Sequence, residues 1–188
     1  MGDSVTFDMP FRTMAGGYVT SPSLDDRCGM AAILCAMEEL QGQALPCSLS
    51  VLFSTQEELG ERGAKIGAYT IAPDIALAVD VTFGDAGEKV GVCGKGPLIG
   101  ISPSLSRDVS DALIAAADAA QIPWQPEVMA GTTGTNADRF AVTRGGVRAG
   151  TVSIPLCHMH TPVEKIRTED VALTGKLLAA YVRGCASC

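Results

Sequence analysis

The stretch Ile75-Ala76-Leu77-Ala78-Val79-Asp80-Val81 decides the fold class of this chain. It is a continuous apolar run with one carboxylate near its end, and Pro73 precedes it. Such a run is typical of a central strand that is buried on both faces. A lone aspartate in that position is costly unless a cation lies beside it. The run therefore predicts a sheet and marks Asp80 as a candidate ligand.

Strand and helix patterns alternate on both sides of this run. Further strands are predicted near residues 5–7, 48–54, 97–101, 127–130 and 149–154. Helices are predicted near residues 28–37, 63–68, 106–120, 136–142 and 168–181. This alternation is typical of α/β proteins. We expect a mixed, largely parallel sheet sandwiched between helices.

The overall composition excludes several classes of partner. A chain of 188 residues with 47% hydrophobic residues suits one globular domain with a substantial core. Its net charge of −7 disfavours nucleic acid and anionic membrane surfaces, since both need a basic patch. Its apolar runs are too short to span a bilayer, and its first residues do not resemble a signal peptide. We therefore expect a cytoplasmic protein.

The cysteines indicate a reducing compartment. All seven are scattered through apolar surroundings, which is typical of small buried side chains. Only Cys185 and Cys188 have C-x-x-C spacing, and they lie at the C-terminus without a second pair. This position favours a frayed tail over a redox or zinc site.

A pair of carboxylates follows the predicted strand at residues 48–54. The stretch is Gln56-Glu57-Glu58-Leu59-Gly60. Adjacent residues that leave a strand point to opposite sides, so one carboxylate can hold a metal while the other moves a proton. The alternative interpretation is an acidic helix start, because carboxylates favour a helix N-terminus.

Other acidic and imidazole side chains fall at comparable places. Asp25, Glu57, Glu58, Asp80 and His160 all lie at or near predicted strand ends and loops, the edge where open α/β sheets bind ligands. Carboxylates and an imidazole without thiolates suit Zn²⁺, Co²⁺ or Mn²⁺. Two such ions would need a bridging carboxylate and would activate one shared water for hydrolysis. For Asp25 and Asp26, which stand at the start of a predicted helix, capping is the alternative role, and it would hold for one of the two.

Five motifs, in this order, resemble the glutamyl (deblocking) aminopeptidase family. They lie at residues 23–27, 56–60, 78–82, 134–137 and 158–164. The family comprises dinuclear-metal exopeptidases with a zinc-exopeptidase-like catalytic domain. Its members assemble as tetrahedral dodecamers, and some are labelled endoglucanases. The motifs span nearly the whole chain, so the resemblance is specific.

The resemblance implies a set of metal ligands. Asp25 would bridge two divalent ions, Zn²⁺ or Co²⁺ or alternatively Mn²⁺, and Asp26 would support it from the next peptide. Glu58 and His160 would complete one metal site. Asp80 would serve the other site.

The resemblance also implies catalytic roles and partners. Glu57 would be the general base that takes a proton from the attacking water. Thr135 and Asn136 would lie in a loop near the substrate. The substrate would be a peptide, and the full-length protein would form a homo-oligomer.

The chain departs from the family pattern in its histidines. The family's second metal takes a histidine from an upstream His-x-Asp motif that precedes a PDZ-like insert, whereas this chain contains only His158 and His160. We therefore expect residues 1–188 to form a single incomplete peptidase catalytic domain, the C-terminal half to two-thirds of a family member. Residues 1–22 would be an entry segment, and the upstream strands and the PDZ-like dimerisation insert would be absent.

This departure leaves alternatives open. The second metal site would keep only Asp25 and Asp80, so only one ion would be fully held. His158 could replace the missing histidine if its segment were extended, but we expect it to be a polar neighbour of the site. The leading hypothesis is a metallo-aminopeptidase, and the second is a weak or inactive remnant that binds one metal or a partner chain. A glycan hydrolase is a third hypothesis, since paired carboxylates permit that chemistry, but it leaves Asp80 and His160 unexplained.

Overall fold

The computed structural model describes residues 2–84 and 91–185. Its strands are β1 (Arg12–Thr13), β2 (Tyr18–Ser21), β3 (Ile75–Phe83), β4 (Leu98–Ile101), β5 (Gln125–Val128), β6 (Arg148–Cys157) and β7 (Glu164–Arg167). Its α-helices are α1 (Leu24–Leu40), α2 (Arg62–Ile71), α3 (Arg107–Ala119), α4 (Ala137–Ala141) and α5 (Thr168–Gly184). None of the helices in these ranges is long and apolar enough to cross a membrane. Cys188, and with it the C-x-x-C pair, lies outside the described residues.

Strand β6 is the centre of the sheet. Along one edge it pairs in parallel with β3, in a register that runs from Ile75 opposite Arg148 to Phe83 opposite Leu156. Its other edge pairs antiparallel with β4 and then, nearer the C-terminal end of the strand, with β7. The predicted mixed α/β sheet is confirmed, and its longest ladder is parallel.

The remaining strands extend the sheet on the side away from β3. Strand β5 runs parallel to β4, and β2 runs antiparallel to β7 and carries β1 at its outer edge. The order is therefore β1-β2-β7-β6-β4-β5, with β3 on the opposite edge of β6. Within residues 2–84 and 91–185, no strand pairs with the outer edge of β3.

Helices cover both faces of the sheet, as predicted. On one face, α1, α3 and α5 pack against β4 and β6 around the fully buried Leu113, Val152 and Leu177. On the other face, α2 and α4 pack on β3 and β6 through small side chains such as Ala64 and Ala149. The two apolar clusters give the sandwich expected for an α/β domain.

Two predicted strands are wrong. Residues 48–54 form no strand, and Leu49, Val51 and Phe53 are 45%, 38% and 44% exposed. An extended segment becomes a strand only when a neighbour pairs with its backbone N–H and C=O groups, and no described strand does so here. The predicted strand at residues 5–7 fails for the same reason, and Val5 and Phe7 are exposed.

The C-terminal part of the sheet contains more strand than the sequence predicts. Strand β6 continues through Pro155 to Cys157, and β7 follows after a short turn. The predicted strand at 127–130 begins two residues earlier, as β5. Strand β7 was missed because its four residues, Glu-Lys-Ile-Arg, lack the apolar and β-branched character typical of strands.

Gly100 should be necessary for the packing of β4 on β6. A Cβ atom at this position would overlap Thr151 Oγ1, which is fully buried, and would lie 3.0 Å from Leu105 Cδ1. We expect Gly100→Ala to lower the free energy of unfolding by about 1–3 kcal/mol, as overpacking does. Urea denaturation measures this change.

Gly131→Ala is the matched control, because nothing lies within 4 Å of the Cβ position there. It should change the free energy of unfolding by no more than about 0.5 kcal/mol. Equal losses in the two variants would contradict the packing argument.

Candidate metal centre

The first turn of α1 separates the roles of its two aspartates. Asp25 and Asp26 both have non-helical dihedral angles, so the regular helix starts after them. Asp26 Oδ1 accepts a hydrogen bond from the Gly29 N–H at 2.9 Å, the geometry of an N-terminal cap. The capping interpretation therefore holds for Asp26. The Asp25 side chain turns instead toward the end of β6.

The glutamate pair lies in a single 3₁₀ turn, Glu57–Leu59. Gln56 and Gly60 flank this turn with left-handed φ values of 58° and 95°. Glu58 is exposed, whereas Glu57 is half-buried. The pair does begin a short helix, as the alternative interpretation holds, but this turn also directs Glu58 toward Asp25 and the histidine turn.

His160 reaches the cluster from the turn that follows β6. His158 and His160 both adopt left-handed backbone conformations, with φ values of 62° and 59°. The segment is therefore not extended, and the geometry in which the two histidines would share a face is absent. His160 Nε2 lies 3.1 Å from Asp25 Oδ2 and 3.4 Å from Glu58 Oε1.

Three of the predicted ligands come together at one point. Asp25, Glu58 and His160 each offer one ligand atom, and these atoms all lie within 4.8 Å of one another. Two carboxylate oxygens and one imidazole nitrogen form a donor set that suits Zn²⁺ and related divalent ions. In the described part of the chain, no other group of three or more such residues is close enough to hold an ion.

Asp80 lies outside this three-residue group but is electrostatically linked to it. It is nearly buried at the end of β3, and its Oδ1 accepts the N–H of Val81 at 2.8 Å. Its negative charge raises the pKa of Asp26, and the charge of Asp25 raises the pKa of Asp80. Asp80 is therefore coupled through its charge to both aspartates at the start of α1.

The carboxylates of the cluster have raised pKa values. Burial, followed by repulsion from Glu58 and Glu164, raises the pKa of Asp25 to about 6. Burial is also the main cause that raises the pKa of Asp80 to about 8 and that of Asp26 to about 9. Crowded carboxylates of this kind favour either protonation or a bound cation. The donor set and its charge therefore fit a divalent metal ion.

Glu164 is a site residue that the sequence analysis did not single out. It is 2% exposed, at the first position of β7. Its Oε2 accepts the Asp25 N–H at 3.1 Å, and its Oε1 accepts the His160 N–H at 2.9 Å. One buried carboxylate thus holds the backbone of two predicted ligands. Its only signal in the sequence is its place in the motif at residues 158–164, four positions after His160.

The loop at residues 131–136 lies against the segment that leads to the glutamate pair. Asn136 Nδ2 donates a hydrogen bond to Ser54 Oγ at 3.1 Å. Asn136 Oδ1 is buried and has no hydrogen-bond partner among the described residues. Thr135 is buried, and its hydroxyl accepts the N–H of Ala137. Thr135 therefore supports the start of α4.

Comparison with known proteins now places this site in a family. A family model described as M42 glutamyl aminopeptidase matches residues 1–177. The chain belongs to this family. The M42 chain is 34% identical over 176 residues to a lysyl aminopeptidase of Pyrococcus furiosus, covering 92% of the chain and 50% of that relative.

Solved structures of similar proteins share the fold of this M42 chain. The aminopeptidase APDkam598 from the archaeon Desulfurococcus kamchatkensis superposes with a TM-score of 0.86 at 32% identity, covering 96% of this chain and 53% of that one. The TET1 peptidase of Pyrococcus horikoshii, which can assemble into a tetrahedron or a large octahedral shell, superposes with a TM-score of 0.82 at 30% identity. That match covers 95% of this chain and 54% of that one. The chain thus spans about half the length of the curated relatives it matches.

The raised pKa values predict how the stability of the M42 chain depends on pH in the absence of metal. The folded chain keeps protons on Asp25, Asp80 and Asp26 that the unfolded chain loses near pH 3.8. The free energy of unfolding should therefore fall as pH rises from about 4 to about 9. A divalent ion should restore stability, and more at pH 8 than at pH 5, because ionised ligands bind it best.

Thermal melts across this pH range, in chelator and with added Zn²⁺, measure the effect. A melting temperature in chelator that stays constant or rises between pH 5 and pH 9 would contradict the charge-crowding argument.

The Glu164 carboxylate should be needed for metal affinity. Glutamine has one carbonyl oxygen in place of two carboxylate oxygens, so Glu164→Gln leaves either the Asp25 or the His160 N–H without its acceptor. We expect Zn²⁺ affinity to fall about 10–100-fold, as it does when groups that orient metal ligands are replaced. Isothermal titration calorimetry measures this loss.

The matched control is Glu38→Gln, which neutralises an exposed glutamate on α1. Its Zn²⁺ affinity should equal that of the unmodified chain. If Glu164→Gln also kept full affinity, the two backbone hydrogen bonds would have no role in metal binding.

Proposed function

We propose that this chain supplies the metal-binding and proton-transfer residues of a metal-dependent aminopeptidase that removes N-terminal residues from peptides. One observation carries the proposal: the ligand atoms of Asp25, Glu58 and His160 converge within 4.8 Å, beside the half-buried Glu57. Membership of the M42 glutamyl aminopeptidase family supports the reaction type.

Asp25, Glu58 and His160 would hold one divalent ion, Zn²⁺, Co²⁺ or Mn²⁺, and Asp25 with Asp80 would face a second. When bound, such ions supply Lewis-acid chemistry, since they polarise a carbonyl group and make water more acidic. Asp26 would support Asp25, because its carboxylate caps helix α1 by accepting the Gly29 N–H and so fixes the backbone next to Asp25. Glu164 would keep the Asp25 and His160 backbones in place.

Glu57 would act as the general base. Burial, followed by repulsion from Glu58, Glu61 and Asp25, raises its pKa. A raised pKa suits a carboxylate that takes a proton from the attacking water and later gives it to the leaving amine. The charges of Glu58, Asp25 and His160 all affect the pKa of Glu57, which indicates that Glu57 lies near the three ligands and supports this role.

Peptide binding would involve the loop at residues 131–136. Asn136 donates to Ser54 in the segment that precedes the glutamate pair, so this loop lies beside the proposed catalytic residues. The whole protein would form a homo-oligomer, in line with the assembly described for the Pyrococcus horikoshii TET1 peptidase.

A second candidate function is a weak or inactive form of the site that binds one metal ion. The observation that favours it is that the described residues bring together one group of three ligands, Asp25, Glu58 and His160. An exopeptidase that needs two ions would then have one incomplete centre.

Metal titration and an activity assay separate the two candidates. The purified chain, stripped of metal and supplied with Co²⁺ or Zn²⁺, is assayed with lysyl and glutamyl p-nitroanilides. Metal-dependent release of nitroaniline supports the aminopeptidase, whereas one bound ion per chain without turnover at any metal concentration supports the second candidate.

Substitution of Glu57 tests its role. We expect Glu57→Gln to reduce turnover by about 10²–10⁴-fold, the contribution typical of a general base, while metal affinity is kept. His160→Ala is the complementary variant and should reduce metal affinity, because it removes the only nitrogen ligand of the cluster. Unchanged turnover in Glu57→Gln would show that another group takes the proton.

A further inference from the structure

We propose that Cys93 and Cys157 are a site of reversible oxidation, at which the two thiols join in an intramolecular disulfide. Their Sγ atoms lie 3.6 Å apart although 64 positions separate them in the sequence. This site uses no residue of the metal centre, and the inference does not depend on the proposed function.

Cys157 is held in place by the sheet. It is the last residue of β6, it pairs with Lys165 of β7, and it is 5% exposed. Its Sγ lies 3.6 Å from the carbonyl oxygen of Gly84, the residue that follows β3. The Gly84 N–H in turn donates to the Leu156 carbonyl at 2.7 Å, which joins this residue to β6.

Cys93 is held in place by its neighbours on both sides. The buried carboxylate of Asp170, at the start of α5, accepts the N–H groups of Gly94 and Gly96 at 2.6 Å and 2.9 Å. The side chain of Gln125 accepts the Val92 N–H at 3.0 Å and donates to the Val92 carbonyl at 3.1 Å.

These two anchors come from different elements, α5 and β5, and both hold the backbone of the segment that contains Cys93. The thiol is therefore directed at Cys157 by a hydrogen-bonded framework. Cys93 Sγ also lies 3.3 Å from the carbonyl oxygen of Pro155 in β6.

The two cysteines differ in access to solvent, which assigns the order of the chemistry. Residue Cys93 is partly exposed whereas Cys157 is buried, so we assign the first reaction with an oxidant such as hydrogen peroxide to the Cys93 sulfur. Its thiolate attacks one peroxide oxygen, the O–O bond breaks, and a sulfenic acid and one water are formed.

The buried Cys157 sulfur then attacks the Cys93 sulfur, the S–O bond breaks and a second water leaves. Two thiols and one peroxide thus give one disulfide and two waters, with two electrons passing from sulfur to oxygen. A thiol reductant reverses the reaction by exchange.

Peptide mapping by mass spectrometry tests the proposal on the purified full chain. After treatment with hydrogen peroxide and alkylation of the remaining thiols, we expect a cross-linked peptide that joins Cys93 to Cys157. Dithiothreitol should remove it, and the number of titratable thiols should fall by two on oxidation and recover on reduction.

The Cys93→Ser variant should lose this cross-link, and its number of titratable thiols should not fall by two on oxidation. Cys35→Ser, which replaces another partly exposed cysteine, is the matched control and should still form the cross-link. Circular dichroism confirms that each variant is folded before oxidation.

Absence of the Cys93–Cys157 peptide under conditions that oxidise other cysteines of the chain would overturn the proposal. So would an equal loss of two titratable thiols on oxidation of the Cys93→Ser variant, since the loss would then arise from a different pair.

Discussion

The parallel pairing of β3 with β6 is the constraint on which the rest of the structure depends. Because the two strands run in the same direction and in register over their length, their C-terminal ends meet at one edge of the sheet. Asp80 lies near that end of β3, and the turn that carries His160 follows the end of β6. The ladder therefore brings two positions that lie 80 apart in the sequence to one edge of the sheet, which is the usual place for ligands in open α/β sheets.

Several acidic side chains lie at this edge of the sheet. Asp25, Glu58 and Asp80 approach from three elements, and Glu164 lies beneath them with both oxygens taken up by backbone N–H groups. Repulsion between these carboxylates raises the free energy of the folded state when they are ionised. His160 is the one basic member of the three-residue group among the described residues, and a bound cation would offset the remaining negative charge.

The sequence predicts well those helices and strands whose buried faces leave a regular pattern of apolar residues in the sequence. The apolar run of β3 and the spaced apolar side chains of α3, Val109 and Leu113 among them, belong to this group. Residues 48–54 show the limit, because an apolar run forms a strand only with a partner, and a pattern within the run cannot reveal whether one exists. Glu164 was missed for a related reason, because its function lies in hydrogen bonds to two backbone groups that are distant in the sequence. The contact between the thiols of Cys93 and Cys157 likewise exists only after folding.

The Glu164 carboxylate would also make metal binding depend on the folded chain as a whole. It joins the backbone at Asp25 to the backbone at His160, so the beginning and the end of the chain must both be in place before the ligands converge. An unfolded chain has no such site, and the free energy of metal binding therefore adds directly to the free energy of folding. A bound ion would link the segment that contains Asp25 to the segment that contains His160. The affinity of the chain for the ion would therefore measure how completely the chain has folded.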